Sequence, residues 1–143
     1  MATTTTVTLI PTTTFGTSTG NYDGSSATFN SAEVKGDGYY GFSDGLHTVF
    51  WRVTDLVATI KIQGSLAKTP TATDWVDIEL READGSYSAT ADGLISEVTT
   101  SSQAYTEATT ESRVYNIRGN FVWIRADISA FTAGTINTLQ LAQ

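Results

Sequence analysis

Apolar and polar positions alternate along much of this chain with a period of two, the spacing of strands that bury one face. In "ATIKIQGSL", Ala58, Ile60, Ile62, Gly64 and Leu66 share one face, while Thr59, Lys61, Gln63 and Ser65 share the other. In "WVDIELRE", Val76, Ile78 and Leu80 are expected inward and Asp77, Glu79 and Arg81 outward. In "FVWIRADI", Val122, Ile124, Ala126 and Ile128 alternate with Phe121, Trp123, Arg125 and Asp127. "LHTVFWRV" carries large apolar residues on both faces, which predicts a central strand covered twice. Further strands are predicted over residues 5–10, 112–117 and 135–141, with weaker ones over 27–34, 38–42 and between 87 and 105. "LISEVTTSSQAYTEA" is the nearest approach to a helix, and its apolar residues hold no helical stripe.

Turn chemistry separates these runs. Asp23-Gly24, Asp37-Gly38, Asp44-Gly45, Asp84-Gly85, Asp92-Gly93 and the "GN" at Gly119 supply residues that tolerate positive φ. Short alternating strands at such spacing predict an all-β fold, an antiparallel β-sandwich or jelly roll. Its core is expected to include Val49, Ile60, Ile62, Leu66, Val76, Ile78, Leu80, Val122, Ile124 and Ile128. Residues 1–26 differ: they are Thr/Ser/Gly-rich, with sparse apolar residues and Asp23 as the one charged side chain. They are expected to form an extended N-terminal arm ahead of a single β-sandwich domain over 27–143. The arm either contributes a first strand and a loop, or adds to the edge of a neighbour through Val7, Leu9 and Ile10.

Composition narrows the function. The chain of 143 residues has no cysteine, which excludes disulfides, Cys-based metal sites and thiol nucleophiles. Eight Lys+Arg against 15 Asp+Glu give a formal net charge of -7, and the cations are scattered. No basic stripe exists for nucleic acid or an anionic membrane, so neither is an expected partner. No stretch approaches the ~20 apolar residues of a membrane span. "MATTTTVTLIPTTTFG" lacks a positive n-region and a long apolar run, so no secretory signal is expected, and Met1 suggests an intact chain that stays in the cell that makes it.

Candidate chemistry is thin. His47 is the only histidine and lies on a strand face with Val49 and Trp51, away from any nucleophile motif. A structural histidine bonded to a neighbouring strand or loop is expected. Asp77 and Glu79 sit about 7 Å apart along a strand, a spacing open to an inverting glycosidase. Arg81 continues the same face, which instead reads as a solvated surface. The Asp-Gly pairs form no calcium loop of alternating carboxylates. No enzyme activity, cofactor or metal is expected. Tyr39, Tyr40, Phe42, Trp51, Trp75 and Trp123 are enough aromatics for a sugar platform or for a protein interface.

Two stretches add a resemblance. "DGLHTVFWRVTDLVATIKIQGSLAKTPTATDWVDIEL", residues 44–80, and "GNFVWIRADISAFTAGTINTLQL", residues 119–141, resemble virion structural proteins of tailed bacteriophages, especially contractile-tailed phages and cyanophages. In those proteins a G-h-H-T-V strand precedes T-I-x-I-x-G/A-x-L-A and P-x-x-x-D-W, and N-aromatic-x-W-h-R-A leads into a closing hairpin. The resemblance implies a non-enzymatic particle protein: a capsid decoration or cement protein, or a neck, baseplate or fibre component. It implies other virion proteins (major capsid, neck or tail proteins) and further copies of itself as partners, and assembly in the host cytoplasm. The alternative is a carbohydrate-binding or host-adhesion module. Trp123 and Arg125, two residues apart on one strand face, are candidate interface residues. Arg125 is alternatively expected to pair within the fold with Asp127, Glu79 or Asp77 while stacking on Trp123.

Overall fold

The computed structural model describes residues 6–41, 44–83, 87–89, 93 and 95–142, with the backbone alone for Tyr87–Ala89 and Ile95–Glu97. The strands are β1 (Val7–Ile10), β2 (Thr13–Thr14), β3 (Phe29–Asn30), β4 (Val34–Lys35), β5 (Leu46–Ser65), β6 (Val76–Asp77) and β7 (Leu80–Glu82), followed by β8 (Tyr87–Ala89), β9 (Ile95–Glu97), β10 (Thr99–Thr100), β11 (Gln103–Arg118) and β12 (Trp123–Ala142). A four-residue helical turn, α1 (Asp37–Tyr40), lies between β4 and β5. Pairing is antiparallel throughout, in the order β1-β12-β5-β11-β7-β10, with β8 and β9 pairing separately. The chain is all-β, as its alternation predicts.

Its long strands differ from the expected set of short ones. "LHTVFWRV" and "ATIKIQGSL" form one 20-residue strand, β5, and the expected closing hairpin is one 20-residue strand, β12. Each long strand bends at an irregularity. In β5 the buried positions are Val49, Trp51 and Val53 before the bend and Leu56, Ala58, Ile60 and Ile62 after it. The parity changes at Asp55, whose φ is 50°. Without that extra residue Lys61 and Gln63 would turn into the core. In β12 the buried set moves from Ile124, Ala126 and Ile128 to Leu139 and Leu141, past Ala130 (φ 51°) and Gly134 (φ 88°). A Cβ at Gly134 would run into the Asp55 carbonyl, so the two bends nest only with glycine there. The halves close over one core. Trp51 donates its indole N–H to the Tyr105 hydroxyl at 3.0 Å, and the Tyr115 hydroxyl donates to Gln103 at 3.0 Å. Burial, then the adjacent Glu111 carboxylate, push the Tyr105 phenol well above its ordinary range.

Most of the expected core is buried, and three members are not. Val49, Ile60, Ile62, Ile78, Leu80, Ile124 and Ile128 are inside. Leu66 is 72% exposed because β5 ends at Ser65, whose inward side chain accepts the Ala67 N–H. Val76 is 57% exposed. The space above its partner Gly64 is filled by Ile78 and by the Phe121 ring, which was expected outward. Val122 is half-buried. β5 is central, yet it is covered on one face: Leu46 is 51% exposed and Phe50 only half-buried.

Four short strands from the N-terminal part run along a single edge of β12. β4 meets it at Trp123 and Ile124, β3 at Asp127 and Ile128, β2 at Thr135 and Ile136, and β1 at Leu139 to Leu141. Of the two expectations for the arm the first holds, a strand of the chain's own sheet, and the interface role expected of Leu9 and Ile10 is corrected. Leu9 and Ile10 are 3% and 1% exposed and fill the chain's own core; Val7 remains 39% exposed at the rim. The physical reason is local. The β12 edge offers unpaired backbone, and the arm's Tyr22 packs with Phe29 and Phe131 beside it. The strand expected over 27–34 is reduced to β3 and β4, and the one over 38–42 is replaced by α1. Phe42, the Asp84-Gly85 turn and Asp92 lie outside the described residues.

Candidate functional site

The outer face of the second half of β5 and the first half of β12 carries the chain's most distinctive surface. Ile124 and Ala126 point into the core, so Trp123 and Arg125 point out by the strand's own alternation. α1 then brings a second pair of rings to the first. Tyr39 meets Trp123 edge to face at 5.4 Å, and Tyr40 meets Tyr39 at 5.4 Å. Tyr39 and Tyr40 are 46% and 51% exposed, unusual for rings already in contact with one another. The Trp123 indole N–H donates to the Lys68 carbonyl at 3.1 Å, which ties the ring's edge to the loop after β5.

Cations cap this row. The Lys35 ammonium lies 4.4 Å from the Tyr39 ring centre, and the Arg125 guanidinium lies 4.2 Å from that of Trp75. Arg125 also donates from Nε to Gln63 Oε1 at 2.9 Å. The expected stack on Trp123 is therefore a stack on Trp75, and the hydrogen-bond partner is an amide rather than a carboxylate. Register explains it: Arg125 is opposite Gln63, and Gln63 is opposite Asp77. The Gln63 amide donates to Asp77 at 2.9 Å and the Lys61 ammonium donates to it at 3.2 Å, and these bonds hold the Asp77 carboxyl below its usual range. Burial pushes Asp127 the other way, against the fields of Arg125 and Lys61.

The remaining candidates stand apart. Asp77 and Glu79 have separate partners: Asp77 bonds Lys61 and Gln63, while Glu79 lies 3.7 Å from Arg81. Asp23 folds back on its own turn; the Ser26 hydroxyl and the Ser26 and Ser25 backbone amides hold it to about 2. His47 is buried at the end of β5, where Nε2 accepts the Asp37 N–H at 3.4 Å. Val7, Leu9 and Ile10 lie on the far edge of β12 from β5, away from this face, as β1 of the core. Tyr39, Tyr40 and Trp75 were legible as aromatics, but their meeting with Trp123 and Arg125 depends on α1 and on the β5–β6 pairing. Lys35 and Gln63 carried no signal beyond their place on strands.

No protein-family model matches the chain, and no curated protein matches it. Among solved structures, the crystal structure of the SPBc2 prophage-derived protein YomS shares the fold, with a TM-score of 0.55 and 10% sequence identity over 98% of this chain and 92% of that one. At this identity the likeness is one of fold.

Proposed function

We propose that this chain is a non-enzymatic structural protein of a tailed-bacteriophage particle, a capsid decoration or cement protein or another particle-surface component that works through protein contacts. The observation that carries the reading is the exposed aromatic and cationic face formed by Tyr39, Tyr40, Trp123, Trp75, Lys35 and Arg125. Tyr, Trp and Arg are the residues that dominate protein interfaces: the rings offer large area at small entropic cost, and the planar guanidinium offers directed hydrogen bonds. Trp123 and Arg125 stand on the hydrogen-bonded strand β12, and Tyr39 is held by its contacts with Trp123 and Lys35, so little ordering of these groups is needed on contact. The sequence resemblance to phage virion proteins and the fold shared with a prophage-derived protein support a particle role. On this reading the partners are major capsid, neck or tail proteins and further copies of the chain, met in the host cytoplasm and kept on the virion.

A second reading, a carbohydrate-binding or host-adhesion module, is favoured by the same row of rings. The geometry weakens it. Sugar stacking needs open, flat ring faces, whereas Tyr39 meets its neighbours at 66° and 74°, and Lys35 and Arg125 lie over Tyr39 and Trp75. The test is co-sedimentation with particles assembled without this protein. The double variant Tyr39→Ala/Tyr40→Ala and the single variant Arg125→Ala are each expected to lose more than about tenfold in affinity with the fold unchanged. Full binding by both would refute the proposed face. Glycan binding by the wild type, lost in the double variant, would move the assignment to the second reading.

A further inference from the structure

The corner of the contact face that carries Tyr39 and Tyr40 rests on a buried histidine. α1 is only four residues long and is tied down at its start. Gly36 and Gly38 donate backbone N–H groups to Val122 and Phe121 at 2.9 Å, and both glycines lie too close to the 120–121 backbone to admit a Cβ. The residue between them, Asp37, is 6% exposed. Its N–H donates to His47 Nε2 at 3.4 Å, one of its carboxylate oxygens accepts the Gly45 N–H at 3.1 Å, and the other lies 3.6 Å from His47 Nε2. Asp37 thus links α1, the approach to β5 and the imidazole in one knot.

We propose that His47 and Asp37 form a protonation latch that seats α1 against Trp123 at neutral pH and releases Tyr39 and Tyr40 from that seat on acidification. Its relevance to assembly rests on the contact-face reading above; its mechanics do not. While Nε2 accepts the Asp37 N–H, the single imidazole proton must sit on Nδ1, which is buried without a hydrogen-bond partner. A proton taken from solvent can enter only at Nε2. That nitrogen then presents an N–H to the Asp37 N–H, and the Asp37 carboxylate is the acceptor near it among the described residues. The oxygen beside Nε2 is not the one bonded to Gly45; for the ring to close on it the Asp37 N–H must turn away from Nε2, which displaces the start of α1.

Other elements around His47 do not offset this. Ile117, its partner on β11, is apolar, and the nearby charges Arg118 and Asp44 are exposed to solvent. Burial outweighs the attraction of Asp37 and holds the imidazole below its ordinary value of 6.5. Charging the ring also removes the acceptor of the Asp37 N–H, so the bond that seats the start of α1 is lost on protonation.

The experiment is NMR of the isotopically labelled full chain between about pH 8 and about pH 5. The His47 ring nitrogens, the amides of Asp37, Tyr39, Tyr40 and Gly45 and the Trp123 indole are expected to shift reversibly with one shared midpoint below 6.5. The amides of Ile62 and Ile124 are expected to stay still. His47→Gln keeps an acceptor and cannot titrate, so it should abolish the shared transition. If His47→Gln does not fold, coincidence of the ring and α1 midpoints in the wild type remains decisive. The latch is overturned if His47 titrates without moving α1, if the α1 shifts persist in His47→Gln, or if the only acid transition is global unfolding. Failure of the contact-face reading would show separately, as undiminished particle binding by the tyrosine variants at neutral pH.

Discussion

Arg125 sits in the most apolar stretch of β12 without entering the core, because strand alternation turns it outward and a ring receives it there. Its flat guanidinium over Trp75 covers apolar area that would otherwise face water, while Nε keeps a directed bond to Gln63. Ile62 and Leu66 show how much position outweighs residue type. Both are aliphatic and in phase in the "ATIKIQGSL" alternation, yet Ile62 is fully buried and Leu66, just past the end of β5, is 72% exposed. Ile62→Ala and Ile124→Ala should each cost about 2–5 kcal/mol, since each leaves a cavity among packed strands. Leu66→Ala and Val76→Ala should each stay within about 0.5 kcal/mol. Chemical denaturation of the four variants checks this, and equal losses across the set would contradict the burial described.

Two devices shape the elements. The irregularities at Asp55, Ala130 and Gly134 let strands of 20 residues bend over a core without exchanging their faces. The β12 edge, long enough to recruit another chain, is instead closed by four short strands of its own. An N-terminal truncation follows from the second device. Deleting residues 2–10 would remove Leu9 and Ile10, each worth about 2–5 kcal/mol when cut to alanine, and would bare the edge at Leu139 and Leu141. Together these approach the about 5–15 kcal/mol that holds a typical domain together. The truncated chain is expected to melt far below the full chain or to aggregate. A scanning-calorimetry midpoint unchanged by the deletion would mean that β1 is dispensable.

For the whole molecule, acid is the condition that its charges resist least. His47 has a depressed folded value, so its contribution to stability is complete above 6.5 and is lost as pH falls from there through the folded value. Asp77, held low by Gln63 and Lys61, adds a loss that begins only as pH falls below 3.8. Asp127, raised by burial, runs in the opposite sense: it stabilises most below 3.8 and loses that contribution as pH rises through its folded value. Urea midpoints should therefore be flat from about pH 8 to about pH 7 and fall between about pH 6 and about pH 5. The same series on His47→Gln should be flatter through that window. An identical slope in the variant would assign the acid loss to other groups.

Period-two alternation and Asp-Gly turn chemistry, both local properties, determined that the chain is all-β, which faces of "ATIKIQGSL" and "FVWIRADI" turn inward, and that Trp123 and Arg125 share an outward face. Side-chain direction along a strand follows from backbone geometry alone, so a single chain segment carries that information. Only the tertiary structure decided where strands join and what caps them. A bulge at Asp55 keeps the inward set inward, so the pattern looks the same whether two strands meet at a turn or one strand bends. The burial of Leu9 and Ile10, the exposure of Leu66 and Val76 and the inward turn of Phe121 depend on which neighbour fills each space. Tyr39 against Trp123, and Arg125 over Trp75, join residues that are distant in sequence. Such contacts are set by register and close packing between segments, and a pattern read along one segment holds no trace of them.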